Sequence, residues 1–576
     1  MYDMEPIIEF KDYSFQYRSQ KEPTIHGIDL SIFPGEKILI AGPSGSGKST
    51  LAHTINALIP CSYPGKSQGS LTVAGLNPEK EGVFGMSKHV GTVLQDTNGQ
   101  FIGLTVAEDL AFALENENIP QDKIFEKVDE VAEIVDMKDF LKHSPSALSG
   151  GQKQRVSMGG VLVDDVEILL FDEPLANLDP ATGKRTIALI DEIMQRRDLT
   201  VIIIEHRLED VLYRNVDRIV VVNDGTIIAD EKPDELLSGD VLIEQGIREP
   251  LYISAIRHAG MRVKPEDGPK NIGDMNIEPY RQAVRSWFQS VKKKKPAEKK
   301  DPVLTVKDLS FAYDPKEPVL NDINLEITRG EMVSIVGRNG AGKSTFASLI
   351  CGFYKPVSGE ILLNGKDISP LSTKERGEKI GFVMQSPGQM ISKPMIREEV
   401  GLGLTVRGVP KEEVDRRVDE TLRICGLYPY RNWPVSALSF GQKKRVTIAS
   451  ILIMEPEIMI LDEPTAGQDY RRYTDIMEFL KKLNEELGLT IIMITHDMHL
   501  MLEYTDRAVV LTDHRILKDD TPANILTNEE IANKAYLKKT SLYDLAVKCG
   551  IEDPSEFAER FIEFERDEKG SDSWAG

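Results

Sequence analysis

Long apolar runs are missing from this chain, and so is an excess of positive charge. The longest apolar stretches, such as "TVIIIEH" and "EILLFDE", fall far short of the roughly 18 residues that a bilayer span requires. The chain is therefore not expected to cross a membrane by itself. Its start, "MYDMEPIIEF", has neither the basic region nor the apolar core of a secretion signal. Lysine and arginine number 70 against 92 acidic residues, a formal net charge of −22. That balance opposes long-range attraction to phosphate backbones, so nucleic acid is not an expected partner. Cysteine is also scarce: Cys61, Cys351, Cys425 and Cys549 are scattered, with no CxxC pair. This argues against a disulfide framework or a zinc site and suits the reducing cytosol.

What is present is present twice. "PSALSGGQKQRVSM" and "VSALSFGQKKRVTI" place Ser149 and Ser439 at 439 − 149 = 290 positions apart. "GPSGSGKST" pairs with "GRNGAGKST" and "FDEPLANLD" with "LDEPTAGQD". A chain of 576 residues, 41% hydrophobic, exceeds one ordinary core, and two homologous domains account for the duplication. Short β-branched runs ("EKILIAG", "EILLFDE", "TVIIIEH"; "EMVSIVG", "EIMILDE", "TIIMITH") alternate with helical patterns. Each half is thus expected to be an α/β fold around a largely parallel sheet.

The expected boundaries are a first domain over 1–250, a linker with a short helix over 251–302, a second domain over 303–526 and a polar, helical tail over 527–576. In the linker, Tyr280, Val284, Trp287 and Val291 recur at helical spacing, which predicts a small helix packed on its own domain, or else one that meets a partner. The run Lys292 to Lys295 reads as solvated, contact with an anionic membrane being the other reading.

Gly42 to Ser49 and Gly337 to Ser344 both fit G-x-x-x-x-G-K-[ST], each after a strand and before a helix. Glycines at Gly42, Gly45 and Gly47, and at Gly337, Gly340 and Gly342, let backbone N–H groups turn inward around phosphates. Lys48 or Lys343 adds a point charge, the hydroxyl of Ser49 or Ser344 can ligate Mg²⁺, and Thr50 and Thr345 follow. Asp172 and Asp462 end apolar strands, placed to hold the same Mg²⁺. The adjacent Glu173 and Glu463 are placed to orient or deprotonate a water. His206 and His496 close later strands at the same offset, which points to a γ-phosphate contact.

"LSGGQ", Leu148 to Gln152, resembles the signature of ATP-binding cassette (ABC) ATPases, and the order of motifs is similar to that family in both halves. The resemblance implies two P-loop nucleotide-binding domains with ATP and Mg²⁺ as cofactors. It implies adenine stacking at Tyr17 and Tyr313, metal-sensing and catalytic Q-loop glutamines at Gln95 and Gln385, and D-loop aspartates at Asp179 and Asp469. It further implies head-to-tail pairing within the chain. Ser439, Gly441 and Gln442 would close the site of Lys48 and Glu173, and Ser149, Gly151 and Gln152 that of Lys343 and Glu463. Phe440 stands where the other copy has Gly150, so the two sites are expected to be unequal.

"QDTNGQFIGLTVAEDLAFALEN", Gln95 to Asn116, is similar to the segment that meets the membrane subunit in energy-coupling-factor (ECF) importers, including those proposed for thiamine precursors. The implied protein is the ATPase of an importer of a vitamin, precursor or metal ion, peripheral on the cytoplasmic face. Its implied partners are a transmembrane coupling subunit and a substrate-binding membrane subunit. Tandem cassettes of ribosomes are the other class, but they would need a basic surface or a long charged arm. DNA-repair cassettes would show zinc cysteines. Sugar-importer ATPases are a nearer rival, though they often have one degenerate site, whereas both lysines and both glutamates remain here.

Overall fold

The β-branched runs form the buried strands of two parallel sheets. The computed structural model describes residues 5–95, 97–176, 178–293 and 301–572. The first half contains β1 (Ile8–Tyr17), β2 (Ile25–Ile32), β3 (Lys37–Ala41), β4 (Gly65–Val73), β5 (Val90–Val93), β6 (Ile168–Asp172), β7 (Thr200–Ile204), β8 (Arg218–Asn223) and β9 (Thr226–Glu231). Six of these form one sheet in the order β5-β6-β7-β3-β8-β9, parallel except for β9. Every residue of β3 and β7 is buried, as expected of strands covered on both faces. A smaller antiparallel sheet has the order β2-β1-β4.

The second half repeats the plan. It contains β10 (Pro302–Asp314), β11 (Glu317–Thr328), β12 (Met332–Val336), β13 (Ser358–Leu363), β14 (Lys366–Asp367), β15 (Ile380–Val383), β16 (Ile458–Asp462), β17 (Thr490–Ile494), β18 (Arg507–Thr512) and β19 (Arg515–Asp520). The main sheet runs β15-β16-β17-β12-β18-β19, and the antiparallel one β11-β10-β13-β14. In both halves the strand before the phosphate loop is flanked by the strand that ends just before the histidine. The strand ending in the aspartate comes next. The carboxyl ends of three neighbouring strands therefore deliver the candidate residues to one place, as open α/β sheets do.

The chain divides into two compact units. One is Met1–Trp287 with Asp469–Arg471 and Val547–Gly550; the other is Phe288–Gln468, Arg472–Ala546 and Ile551–Gly576. Within the stretch read as a linker, helices Leu251–His258 and Arg281–Ser290 form, and Tyr252, Tyr280, Val284 and Trp287 are buried. Tyr280 Oη donates to Asp267 Oδ2 at 2.5 Å, which satisfies a hydroxyl taken out of water. Lys294 and Lys295 of the lysine run lie outside the described residues. The tail is less polar in effect than its composition suggests: along helix Ser541–Cys549, Leu542, Leu545, Ala546 and Cys549 are buried at i, i+3, i+4 and i+7. Phe557 and Phe561 of helix Pro554–Asp572 are buried as well. Among the described residues, no helix is long and apolar enough to cross a membrane.

Candidate functional site

After β3 the chain turns through Gly42 (φ 154°), Gly45 (φ 84°) and Gly47 (φ 107°) into helix Lys48–Ile55. Gly337, Gly340 and Gly342 repeat this with φ of 143°, 82° and 93° before helix Lys343–Cys351. Glycine is obligatory at the first position, because a Cβ there would stand 2.1 Å from the Val222 carbonyl oxygen, or 2.0 Å from that of Leu511 in the second copy. Lys48 Nζ donates to the carbonyls of Gly42 and Pro43, both at 2.8 Å. Lys343 Nζ donates to Gly337 at 2.8 Å and Arg338 at 3.0 Å. Burial lowers the Lys48 pKa while the Glu173 carboxylate opposes the shift. The buried Ser46 hydroxyl has no hydrogen-bond partner among the described residues, an orphan that a polar ligand in the loop can satisfy.

Ser344 Oγ donates to Asp462 Oδ2 at 2.9 Å, and Ser49 is hydrogen-bonded to Asp172. Burial raises the pKa of both aspartates, and their serine bonds oppose it. A hydroxyl and a carboxylate paired in a half-buried position fit a hard divalent cation such as Mg²⁺. The ring candidates are also placed alike. Tyr17 Oη lies 3.0 Å from Thr50 Oγ1 and Tyr313 Oη 3.1 Å from Thr345 Oγ1, at the first turn of each phosphate-loop helix.

Glu173 (φ 49°) and Glu463 (φ 46°) both adopt the left-handed region, which costs a non-glycine residue about 1 kcal/mol or more and marks positions fixed by their surroundings. Their N–H groups donate to Ile204 O and Ile494 O, each at 2.9 Å, so the strained residue stays tied to the neighbouring strand. The side chains differ. Gln95 Nε2 donates to Glu173 Oε2, and His206 Nδ1 is 3.9 Å from Glu173 Oε1. In the second unit His496 Nδ1 is 2.7 Å from Glu463 Oε1. Burial, then the charges of Glu205 and Asp172, push the Glu173 pKa up to about 8.

A pH dependence of stability follows from that shift. Between the ordinary value of 4.5 and about 8, the folded chain holds on Glu173 a proton that the unfolded chain has lost. Stability therefore falls as pH rises through that window. Glu173→Gln cannot ionise, so in EDTA and without nucleotide its gain in Tm over the parent is expected to grow from pH 5 to pH 8.5. Thermal melts across that range check it, and an equal gain at both ends would contradict it.

The signature serines and glutamines have a local role that follows from spacing alone. Ser149 Oγ accepts from the Gln152 N–H at 3.4 Å, and Gln152 Oε1 accepts from the Ser149 N–H at 2.9 Å. Ser439 and Gln442 do the same at 3.3 and 3.0 Å. S-x-x-Q is a capping box, and it starts helices Gly150–Leu162 and Phe440–Leu452. A Cβ on Gly150 would meet only Leu178 Cδ2, at an ordinary 3.7 Å, so the helix start has room for a side chain. Phe440 is 42% exposed. A Cβ on Gly151 would come 2.4 Å from Thr182 Cγ2, whereas Gly441 has nothing within 4 Å.

Two tethers were not foreseen. Gln154 Nε2 donates to Pro174 O, just after Glu173. At the matching position Lys444, only 1% exposed, donates to Met384 O and Gln385 O, both at 2.9 Å. Burial brings the Lys444 pKa down to about 8, opposed by Asp462 and Glu463. The signature helix is thus fastened to the turn after Glu173 in one unit and to the glutamine loop in the other. The mismatch of "GQKQRV" with "GQKKRV" was the available signal.

Gln100, within the segment Gln95 to Asn116, turns its side-chain amide onto its own loop. Its Oε1 accepts from the Leu94 N–H and its Nε2 donates to Thr92 O, both at 3.1 Å. The apolar side chains left in solvent nearby are Ile102, 63% exposed, and Leu104, 81% exposed. They precede helix Val106–Asn116, which Thr105 and Glu108 start with a capping box. If this segment meets a membrane subunit, as its resemblance implies, Ile102→Ser with Leu104→Ser is expected to weaken that assembly at least tenfold, each exposed side chain being worth about 1–2 kcal/mol when buried. ATP affinity should stay within about twofold. Pull-down and nucleotide titration of the same preparation check both halves of that statement.

A glycine-lined phosphate loop, a paired serine and aspartate, and a strand-end glutamate, all duplicated, define a tandem P-loop nucleoside triphosphatase. The comparisons give the family: the ABC transporter model matches residues 25–176 and 320–466. The chain belongs to the ABC transporter ATPases. A second model, described as an ATP-binding cassette cobalt transporter, matches residues 239–311. An ABC transporter ATP-binding protein of Clostridium perfringens (strain 13 / Type A) is 56% identical over 97% of this chain and 98% of its own. One of Enterococcus faecalis (strain ATCC 700802 / V583) is 56% identical over 98% and 99%. The structure of cbiO1 from Clostridium perfringens, part of the ABC transporter complex cbiONQ, is 38% identical over 41% of this chain and 94% of that one, with a TM-score of 0.38. The expectation of a tandem ABC ATPase is met, with a cobalt-transporter description matching part of the chain, and the protein is an ATP-binding transporter subunit with ATPase activity.

Proposed function

We propose that the chain is the motor of an ECF-type importer, peripheral on the cytoplasmic face of the membrane, and that it binds two MgATP in composite sites. Lys48 and Lys343 hold the β- and γ-phosphates, and Tyr17 and Tyr313 stack the adenines. Ser49 with Asp172 and Ser344 with Asp462 hold Mg²⁺, helped by Gln95 and Gln385. The metal, when bound, offsets charge on the phosphoryl oxygens. Glu173 and Glu463 orient a water and take its proton; His206 and His496 sense the γ-phosphate. Ser439, Gly441 and Gln442 close the first site, and Ser149, Gly151 and Gln152 the second. Closure around ATP and reopening after hydrolysis move a transmembrane coupling subunit and a substrate-binding membrane subunit.

What supports this reading is the complete duplicated set, above all the Ser344 to Asp462 bond of 2.9 Å beside the Lys343 loop. The family descriptions, one of them for cobalt transporters, favour a small-molecule or metal-ion cargo. The test is copurification of the tagged full chain from a membrane fraction and from a ribosome pellet. Integral subunits with ATP-dependent uptake support the proposal. Sedimentation with ribosomes and no membrane subunit overturns it.

A further inference from the structure

The residue before the strand-end histidine differs between the copies: Glu205 in the first, Thr495 in the second. Glu205 is 1% exposed. Its Oε1 accepts from the backbone N–H of His206 at 3.0 Å and of Arg207 at 3.3 Å, and its Oε2 from that of Leu175 at 3.2 Å. A buried carboxylate needs such donors, and these three join the end of β7 to the turn that follows Glu173. The same Oε1 lies 3.4 Å from His206 Nδ1, nearer than the 3.9 Å that separates this nitrogen from Glu173. In the second unit Thr495 Oγ1 donates to Glu463 Oε2 at 3.4 Å and accepts from the Asp497 N–H at 2.9 Å. There the imidazole closes on the glutamate at 2.7 Å.

We propose that Glu205 is a positioning residue of the first site: it draws His206 away from Glu173 and so leaves Glu173 to the Q-loop side chain of Gln95. The inference rests on the roles proposed above for Glu173 and His206. The threonine of the second unit lacks the competing carboxylate and adds a donor to the glutamate, so that unit has a histidine–glutamate pair built in. Hydrolysis in the first site then depends on the position of Gln95, and hydrolysis in the second on its own histidine.

The experiment uses the full chain carrying Glu463→Gln, so that turnover reports the first site. Glu205→Thr installs the residue of the other unit. The expected result is a change in kcat of about threefold or more with KM for MgATP within about twofold. The cost of Gln95→Ala should also shrink about tenfold in the Glu205→Thr background, a non-additivity that a structural role alone does not produce. In ¹⁵N-histidine-labelled protein without nucleotide, the Nδ1 resonance of His206, assigned by His206→Gln, should move toward that of His496. Independent effects of Glu205→Thr and Gln95→Ala, with an unmoved His206 resonance, would overturn the proposal. If Glu205→Thr does not fold, Glu205→Gln keeps the shape and removes the charge, and the same two outcomes decide. Glu173→Gln in the Glu463→Gln background separates the failures: turnover untouched by it defeats the assignment of Glu173, not the role of Glu205.

Discussion

Lys48→Ala combined with Lys343→Ala is expected to abolish MgATP binding and turnover. Each ammonium already spans two loop carbonyls, at 2.8 and 2.8 Å in the first unit and at 2.8 and 3.0 Å in the second. It is therefore held at the mouth of the loop before nucleotide arrives, and no rearrangement of the loop is needed to present its charge. Removing one such preorganised donor costs about 10² to 10³ in rate. With both removed, ATPase activity should fall to background and calorimetry should detect no sites. Either single variant should bind one MgATP where the parent binds two. Both lysines are buried, so the variants also lose packing, and circular dichroism must show that the fold persists. A folded double variant that still binds two nucleotides would contradict the assignment of both loops.

The reason these lysines were legible in sequence is geometric. The loop permits only glycine at Gly42 and Gly337, where a Cβ would stand 2.1 and 2.0 Å from a carbonyl oxygen, and that requirement writes itself into the motif. The strands were legible for a similar reason: a sheet covered on both faces demands unbroken apolar runs such as Thr200–Ile204. Gln100, Gln154, Glu205 and Lys444 were not legible in the same way. Each is a polar side chain held by backbone groups, Gln154 by Pro174 O and Lys444 by Met384 O among them, and composition says nothing of where such a group will lie. Duplication offered an indirect signal, since Gln154 against Lys444 and Glu205 against Thr495 are, like Gly150 against Phe440, places where two largely parallel sites diverge. The tail shows the converse case. Its helical face of Leu542, Leu545, Ala546 and Cys549 was written in the sequence, but the charged residues between them masked it.

Glu173→Gln and Glu463→Gln are each expected to depress turnover, the second more than the first. Loss of a general base costs about 10² to 10⁴ in rate at the site that uses it. The two carboxylates begin from different states. Glu463 has its histidine at 2.7 Å, while Glu173 sits beside buried Glu205 with its pKa pushed up to about 8, so that at neutral pH only a minority of it is ionised and free to accept a proton. Phe440→Gly should alter turnover by less than about threefold, because the hydrogen bonds at that helix start belong to Ser439 and Gln442, not to residue 440. Phe440 is also absent from the residues with positive φ, so glycine relieves no strain there. ATPase rates of all three variants, measured in the complex with membrane subunits at pH 7, check these statements. Turnover untouched by Glu173→Gln would mean that the first site binds nucleotide without hydrolysing it, and a greater loss from Glu173→Gln than from Glu463→Gln would reverse the order argued from the two carboxylates.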